Sequence, residues 1–199
     1  MRQNNKGRGS GPSSGIQGSH AADRSVKHSG QVFTPGFLVR NMLDYAGYVC
    51  GNILEKHIID NSCGAGAFLC EAVARYCNEY VANHDDNVGL KADLERFVHG
   101  IELDPVVCAD CRSNLDGIAK DFGVENVGWD LLNTNALSVT RYDGQMDFVV
   151  GNPPYVRVHN LEEGYDEVKS FRFAEGGMTD LYLAFYELGL RMINGTGKL

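Results

Sequence analysis

At 199 residues with 43% hydrophobic side chains, the chain can bury one substantial core of α/β size, and nothing in it calls for a second. Its first twenty residues, MRQNNKGRGSGPSSGIQGSH, contain no apolar run, which excludes a signal peptide or membrane span there and leads us to expect a cytoplasmic protein with no membrane partner. The net charge of −8 is unevenly placed: Arg2, Lys6, Arg8, Arg24 and Lys27 face only Asp23 in the first 30 residues, leaving −12 on the remaining 169, and a body this acidic implies that most affinity for any nucleic acid would come from a part not present here.

Residues 1–29 read as a disordered basic arm, because they hold almost no large apolar side chains to offset the entropy of ordering. A single domain, residues 30–199, follows. Pro35 opens a helical stretch, FLVRNMLDYAGYVC, in which Phe37, Leu38, Met42, Leu43 and Tyr45 are expected on one apolar face. HIID at 57–60 is short and apolar enough for a buried strand, and it runs through NSCGAG into a long helical pattern, AFLCEAVARYCNEYVAN. In that turn Gly64 and Gly66 let the backbone approach a ligand at a helix N-terminus.

DNVGLKADLERF predicts a connecting helix, FVHGIEL at 97–103 a second strand, and Asp104 the cap of a helix starting at Pro105. Glu102 at the end of that strand is placed to accept hydrogen bonds from both ribose hydroxyls of a nucleoside. VGWDLL at 127–132 and MDFVVGN at 146–152 supply strands three and four, residues 156–178 a long loop, and TDLYLAFYELGLRMI a last helix capped by Thr179 with Leu181, Phe185, Leu188 and Met192 on one face. A fifth strand is expected only to be starting at Gly197-Lys198-Leu199. Strands alternating with helices imply an α/β fold with a doubly wound, mostly parallel sheet and ligand sites at the strands' C-terminal ends.

The six cysteines (Cys50, Cys63, Cys70, Cys77, Cys108 and Cys111) lie in apolar segments of a chain without a secretory signal, which favours free thiols. Cys108 and Cys111 form one C-x-x-C with no second Cys/His pair, so we read them as neighbours on a helical turn and expect no metal site.

GNPPY at 151–155, directly after strand four, carries the most specific chemistry. An aromatic amino group is a poor nucleophile because its lone pair is delocalised into the ring. Two acceptors side by side, the Asn152 side-chain oxygen and the Pro153 carbonyl, would hold such a nitrogen towards tetrahedral geometry as a methyl group arrives. Pro153 and Pro154 fix the backbone, and Tyr155 offers a flat face for a base extruded from a duplex.

With GQVFTP at 30–35, DNSCGAGAFL at 60–69, GIELDP at 100–105, GNPPY and DLYLAF at 180–185 in this order, the chain from about residue 29 onward resembles the amino-methyltransferases of restriction-modification systems, particularly the adenine-N6 enzymes. The resemblance implies a Rossmann-like S-adenosylmethionine-dependent methyltransferase fold, C-terminally truncated, whose cofactor is S-adenosylmethionine and whose partner is double-stranded DNA. It implies that Phe33, Thr34 and Pro35 lie against the methionine part of the cofactor, with Thr34 near its carboxylate. Asp60, Ser62, Gly64 and Gly66 would line the amino-acid end, Glu102 would hold the ribose, Leu103 would pack on the adenine, and Asn152, Pro153, Pro154 and Tyr155 would hold the target base.

Asn61 stands where such enzymes often carry Pro, and Asn135 where an acidic residue usually meets the cofactor's amino group; Asp130 is the alternative for that role. The resemblance also implies three further strands and a recognition region beyond residue 199, so a second polypeptide could supply them to an isolated chain of poor stability. Two other functions stay open on the sequence. Asn-Pro-Pro-Tyr also resembles the motif of enzymes that methylate a glutamine amide of release factors or ribosomal RNA, although GQVFTP favours DNA; and a truncated chain could be an inactive subunit. No cysteine lies in the tetrapeptide, which argues against thiol-nucleophile chemistry on a base carbon.

Overall fold

Ile58–Asp60 (β1), Val98–Glu102 (β2), Asp130–Asn133 (β3), Met146–Val150 (β4) and Ile193–Lys198 (β5) join edge to edge in one sheet of order β3-β2-β1-β4-β5, and all four pairings are parallel. The computed structural model describes residues 34–156, 168, 170–172 and 180–199. The basic arm, Phe33, Thr179 and most of the loop expected at 156–178 lie outside the described residues.

Neighbouring strand residues point to opposite faces, so Ile58 and Phe148 feed one core while Ile59 and Val149 feed another. On the first face pack helices Gly36–Ala46 (α1), Ala67–Asn83 (α2), Leu90–Phe97 (α3) and Pro105–Asp121 (α4); on the second packs Tyr182–Met192 (α5) with a short 3-10 turn, Ala136–Ser138. Helices on both faces of a parallel sheet make the doubly wound fold that the alternation of elements predicts. The strand order reverses between β1 and β4, which opens a crevice at their C-terminal ends.

Several local expectations hold. Asp104 caps α4, its side chain accepting the N–H groups of Val106 and Val107. Cys108 and Cys111 sit on α4, and the cysteines are free thiols. Leu181, Phe185, Leu188 and Met192 are all buried on or beside α5, although the helix begins at Tyr182 without a side-chain cap. No helix among the described residues is long and apolar enough to cross a membrane.

Three expectations need correcting. On α1 the buried positions are Val39 and Leu43, whereas Phe37, Leu38, Met42 and Tyr45 are exposed, because the helix meets α2 along a narrow i, i+4 stripe. Strand three begins at Asp130, not 127; Val127 and Trp129 are buried as part of the approach to the sheet. The fifth strand is formed, not merely starting. INGTGK has little β-propensity, yet its backbone pairs with β4 from Met146↔Ile193 to Phe148↔Lys198, across an irregularity in register. A Cβ at Gly197 would stand 2.7 Å from the Met146 carbonyl oxygen, so only glycine lets this strand approach.

Candidate active site

The turn after β1 is built around a buried carboxylate. Asp60 ends the strand, 1% exposed, and its Oδ1 accepts the Ser62 N–H at 3.0 Å. Burial pushes its carboxyl up to about 7; the Ser62 hydrogen bond opposes the shift and the charge of Glu102 adds to it. From there the chain climbs through Cys63, whose N–H meets the Ile101 carbonyl, to Gly64 and Gly66, both at positive φ, and enters α2.

Glu102, 7% exposed at the end of β2, ties this turn to the next one. Its Oε2 accepts the Gly64 N–H at 2.9 Å and its Oε1 accepts the Asp104 N–H at 2.9 Å. Each oxygen of a carboxylate has a second lone pair, so the clamp still leaves Glu102 able to accept from a ligand. Leu103, next in sequence, is 69% exposed at the open end of the sheet. Asn133 Nδ2 donates to the carbonyls of Glu102 and Leu103, fixing the end of β2 against β3.

GNPPY emerges from the C-terminal end of β4, beside the β1 turn. Gly151 has φ +153, and a Cβ there would lie 2.6 Å from Asp60 Oδ1 and 3.5 Å from Ser62 Oγ. The bare backbone is therefore what allows the two loops to touch. Asn152 Nδ2 donates to Thr34 Oγ1 at 3.1 Å, which brings the segment before α1 to the same place. Tyr155 is 62% exposed, with its ring centroid 6.5 Å from that of Tyr182. A cavity of about 410 Å³ opens next to the loop, lined by Asn61, Gly151, Pro153, Tyr182 and Tyr186 among others.

The structure thus brings together, at one end of the sheet, Thr34, Asp60, Ser62, Gly64, Glu102, Leu103 and Asn152 to Tyr155. Pro35 is the N-cap of α1, its carbonyl accepting the N–H groups of Leu38 and Val39. Gly66 faces inward: a Cβ there would meet Cys111 Sγ at 2.8 Å, so packing against α4 requires glycine. Asn135 stands just past β3 and its Oδ1 caps the 3-10 turn by accepting the Leu137 N–H at 3.1 Å. Asp130 does not belong to the site. It lies at the start of β3, the far end of the sheet, where it binds His99, Arg141 and Tyr142.

Sequence reasoning missed two contributors. Asn114 on α4 donates to the Ala65 carbonyl at 2.9 Å and steadies the glycine turn, a contact with no local signature. Asn61, 5% exposed, reaches the Phe185 carbonyl and links the β1 turn to α5; its departure from the usual Pro was the one available signal.

The arrangement resembles proteins of known kind. The Type II methyltransferase M.PaeR7I of Pseudomonas aeruginosa is 27% identical over 186 residues, which are 90% of this chain and 32% of that protein. The chain spans about a third of the length of the curated relatives it matches. A modification subunit of a type I restriction enzyme from Vibrio vulnificus YJ016 superposes with a TM-score of 0.57 at 20% identity, over 81% of this chain and 30% of that one. The DrdV protein of a DrdV–DNA complex does so with a TM-score of 0.61 at 17% identity, over 84% and 20% of the two chains. Both share the fold. Because the family pattern described as Eco57I restriction-modification methylase matches residues 98–199, from β2 through GNPPY to β5, this chain belongs to that family.

Proposed function

We propose that this chain is the catalytic region of a site-specific DNA adenine-N6 methyltransferase of a restriction-modification system, which uses S-adenosylmethionine as methyl donor and acts on a base flipped out of the duplex. The observation that carries the reading is the approach of Gly151 to Asp60 and Ser62, since it sets the GNPPY acceptors directly against the glycine turn.

The residues present fit the cofactor. Ser62 Oγ is buried and has no hydrogen-bond partner among the described residues, an expensive state that a polar ligand group would relieve. Asp60 beside it is suited to an ammonium group, Glu102 to a pair of ribose hydroxyls, and exposed Leu103 to the face of a purine. Asn135 Oδ1 caps the 3-10 turn and keeps a second lone pair, with which we assign it to the cofactor's exocyclic amino group on the resemblance alone. When bound, S-adenosylmethionine supplies a methyl group activated on a sulfonium centre.

This chain's own residues then act on the acceptor. Asn152 Oδ1 and the Pro153 carbonyl accept from the target amino group and turn its lone pair out of conjugation. Tyr155 stacks on the base, and the cavity beside Pro153 offers it room. No side chain becomes covalently bound. The relatives are named as methyltransferases and DrdV was solved with DNA, which supports nucleic acid as the partner; the acidic body leaves much of the affinity to other segments or to a second polypeptide.

The test is to incubate the full-length gene product with radiolabelled S-adenosylmethionine and either duplex DNA or ribosomal components with release factors. Label recovered as N6-methyladenine in DNA is the expected result. Label entering only protein or RNA would overturn the assignment, and no binding heat with S-adenosylhomocysteine would mark the chain as an inactive subunit.

A further inference from the structure

Asn133 ends β3 opposite Glu102, the last pair of the β2–β3 ladder. Its Nδ2 donates to the carbonyls of both Glu102 and Leu103, at 2.9 Å each. These contacts fix the direction of the amide. A backbone carbonyl only accepts, so the nitrogen edge must face β2, and both of its hydrogens are in use.

The two carbonyls do not depend on Asn133 equally. That of Glu102 also accepts the Thr134 N–H at 3.1 Å and keeps its place in the ladder without the side chain. That of Leu103 is held, among the described residues, by Asn133 alone. Leu103 is the one residue between the end of β2 and Asp104, the cap of α4. Its side chain is 69% exposed and has little packing of its own, so its direction follows the backbone that carries it. The amide thus holds the main chain at the point where the sheet's open end presents its exposed leucine.

We infer that Asn133 is a positioning residue for the purine half of the cofactor: it sets the main chain of Leu103, and through it the apolar surface on which the purine rests. The inference rests on the reading of this chain as an S-adenosylmethionine enzyme with Leu103 against the purine. Asn133 itself touches only β2, and its effect on the ligand passes through its neighbour.

A double-mutant cycle in the full-length gene product tests this, with affinity for S-adenosylhomocysteine measured by calorimetry. Asn133→Leu keeps nearly the same size and removes both donors. In the wild-type background it weakens binding by about 3- to 10-fold, the scale of one net hydrogen bond. In a Leu103→Ala background the same substitution changes affinity by less than about twofold, because the side chain through which Asn133 acts is already gone. The Leu103 contact lies at the exposed end of the sheet, where water can replace the lost donor, so the melting temperature of Asn133→Leu stays close to that of the wild type. Asn133→Ala, which removes the donors with less bulk, gives the same pattern.

Equal losses of affinity in the two backgrounds would show that Asn133 does not act through Leu103, and a lowered melting temperature accompanying them would make it a residue of the fold only; either result overturns the inference. Unchanged affinity in Asn133→Leu, beside a wild type that binds, overturns it as well. A wild type that binds no S-adenosylhomocysteine defeats the cofactor reading itself, and the inference falls with it.

Discussion

Glu102 accepts the backbone N–H of Gly64 through Oε2 while its other oxygen holds Asp104, so one side chain locks the turns after β1 and β2 into a single unit. Glu102→Gln keeps the shape but offers an NH2 group to one of two backbone donors. A buried donor left unmet costs about 1–3 kcal/mol. Chemical denaturation of the variant should show a loss of that size, and calorimetry should show markedly weaker binding of S-adenosylhomocysteine. Wild-type values in both would mean that the clamp organises nothing.

Gly151→Ala should damage the site through one specific collision. The new methyl group would stand 2.6 Å from Asp60 Oδ1 on a backbone with φ +153, and relief requires pushing the GNPPY loop off the β1 turn. Overpacking of this kind costs about 1–3 kcal/mol. The same substitution in an Asp60→Ala background should cost much less, because the obstructing carboxylate is gone; equal penalties in the two backgrounds would exclude the proposed contact.

The motifs were legible because each concentrates its chemistry in consecutive residues. GNPPY, the glycine turn and Glu102 can be placed at strand ends by periodicity alone, and the structure gathers them at one edge of the sheet. What escaped was tertiary. The exposure of Phe37, Leu38, Met42 and Tyr45 depends on how narrow a stripe of α1 the core uses, and β5 depends on the offered edge of β4 rather than on INGTGK itself. Asp130 reads as a plausible site acid until the register His99↔Asp130 puts it at the opposite end of its strand.

That far end carries its own pH response. His57 Nδ1 and His99 Nε2 lie 2.9 Å apart, and His99 Nδ1 lies 2.7 Å from Asp130 Oδ2. Burial, helped by His99, lowers the His57 pKa, so the folded chain resists a proton that the unfolded chain accepts, and stability falls as pH drops below about 6.5. For Asp130, burial is outweighed by hydrogen bonds from His99 and Tyr142, which hold its carboxyl below the usual range; this contribution is present above about 3.8 and is lost in stronger acid. Melting temperatures should therefore separate the two. Relative to wild type, His57→Gln gains stability between pH 6.5 and 5, whereas Asp130→Asn is destabilised at neutral pH and closes the gap near pH 3. A wild-type-minus-His57→Gln difference that does not vary with pH would rule out the histidine's part.

Asp60 responds in the opposite direction. Its folded-state value is raised to about 7 from 3.8, foremost by burial, so the folded chain holds a proton that the unfolded chain releases across that interval. Stability is consequently lost as pH rises from about 4 to 7, at about 1.4 kcal/mol per unit of pKa difference, and Asp60→Asn should stabilise the unliganded chain more at pH 8 than at pH 5. A ligand ammonium beside Asp60 reverses the preference and favours the carboxylate. Binding of S-adenosylhomocysteine near pH 6.5 should then expel a proton, seen as a binding enthalpy that changes with the ionisation heat of the buffer, and affinity should rise as pH increases through 7. Asp60→Asn abolishes the buffer dependence if the proton comes from this carboxyl. Enthalpies identical in phosphate and Tris buffers for the wild type would place the ammonium away from Asp60 and remove it from the cofactor site.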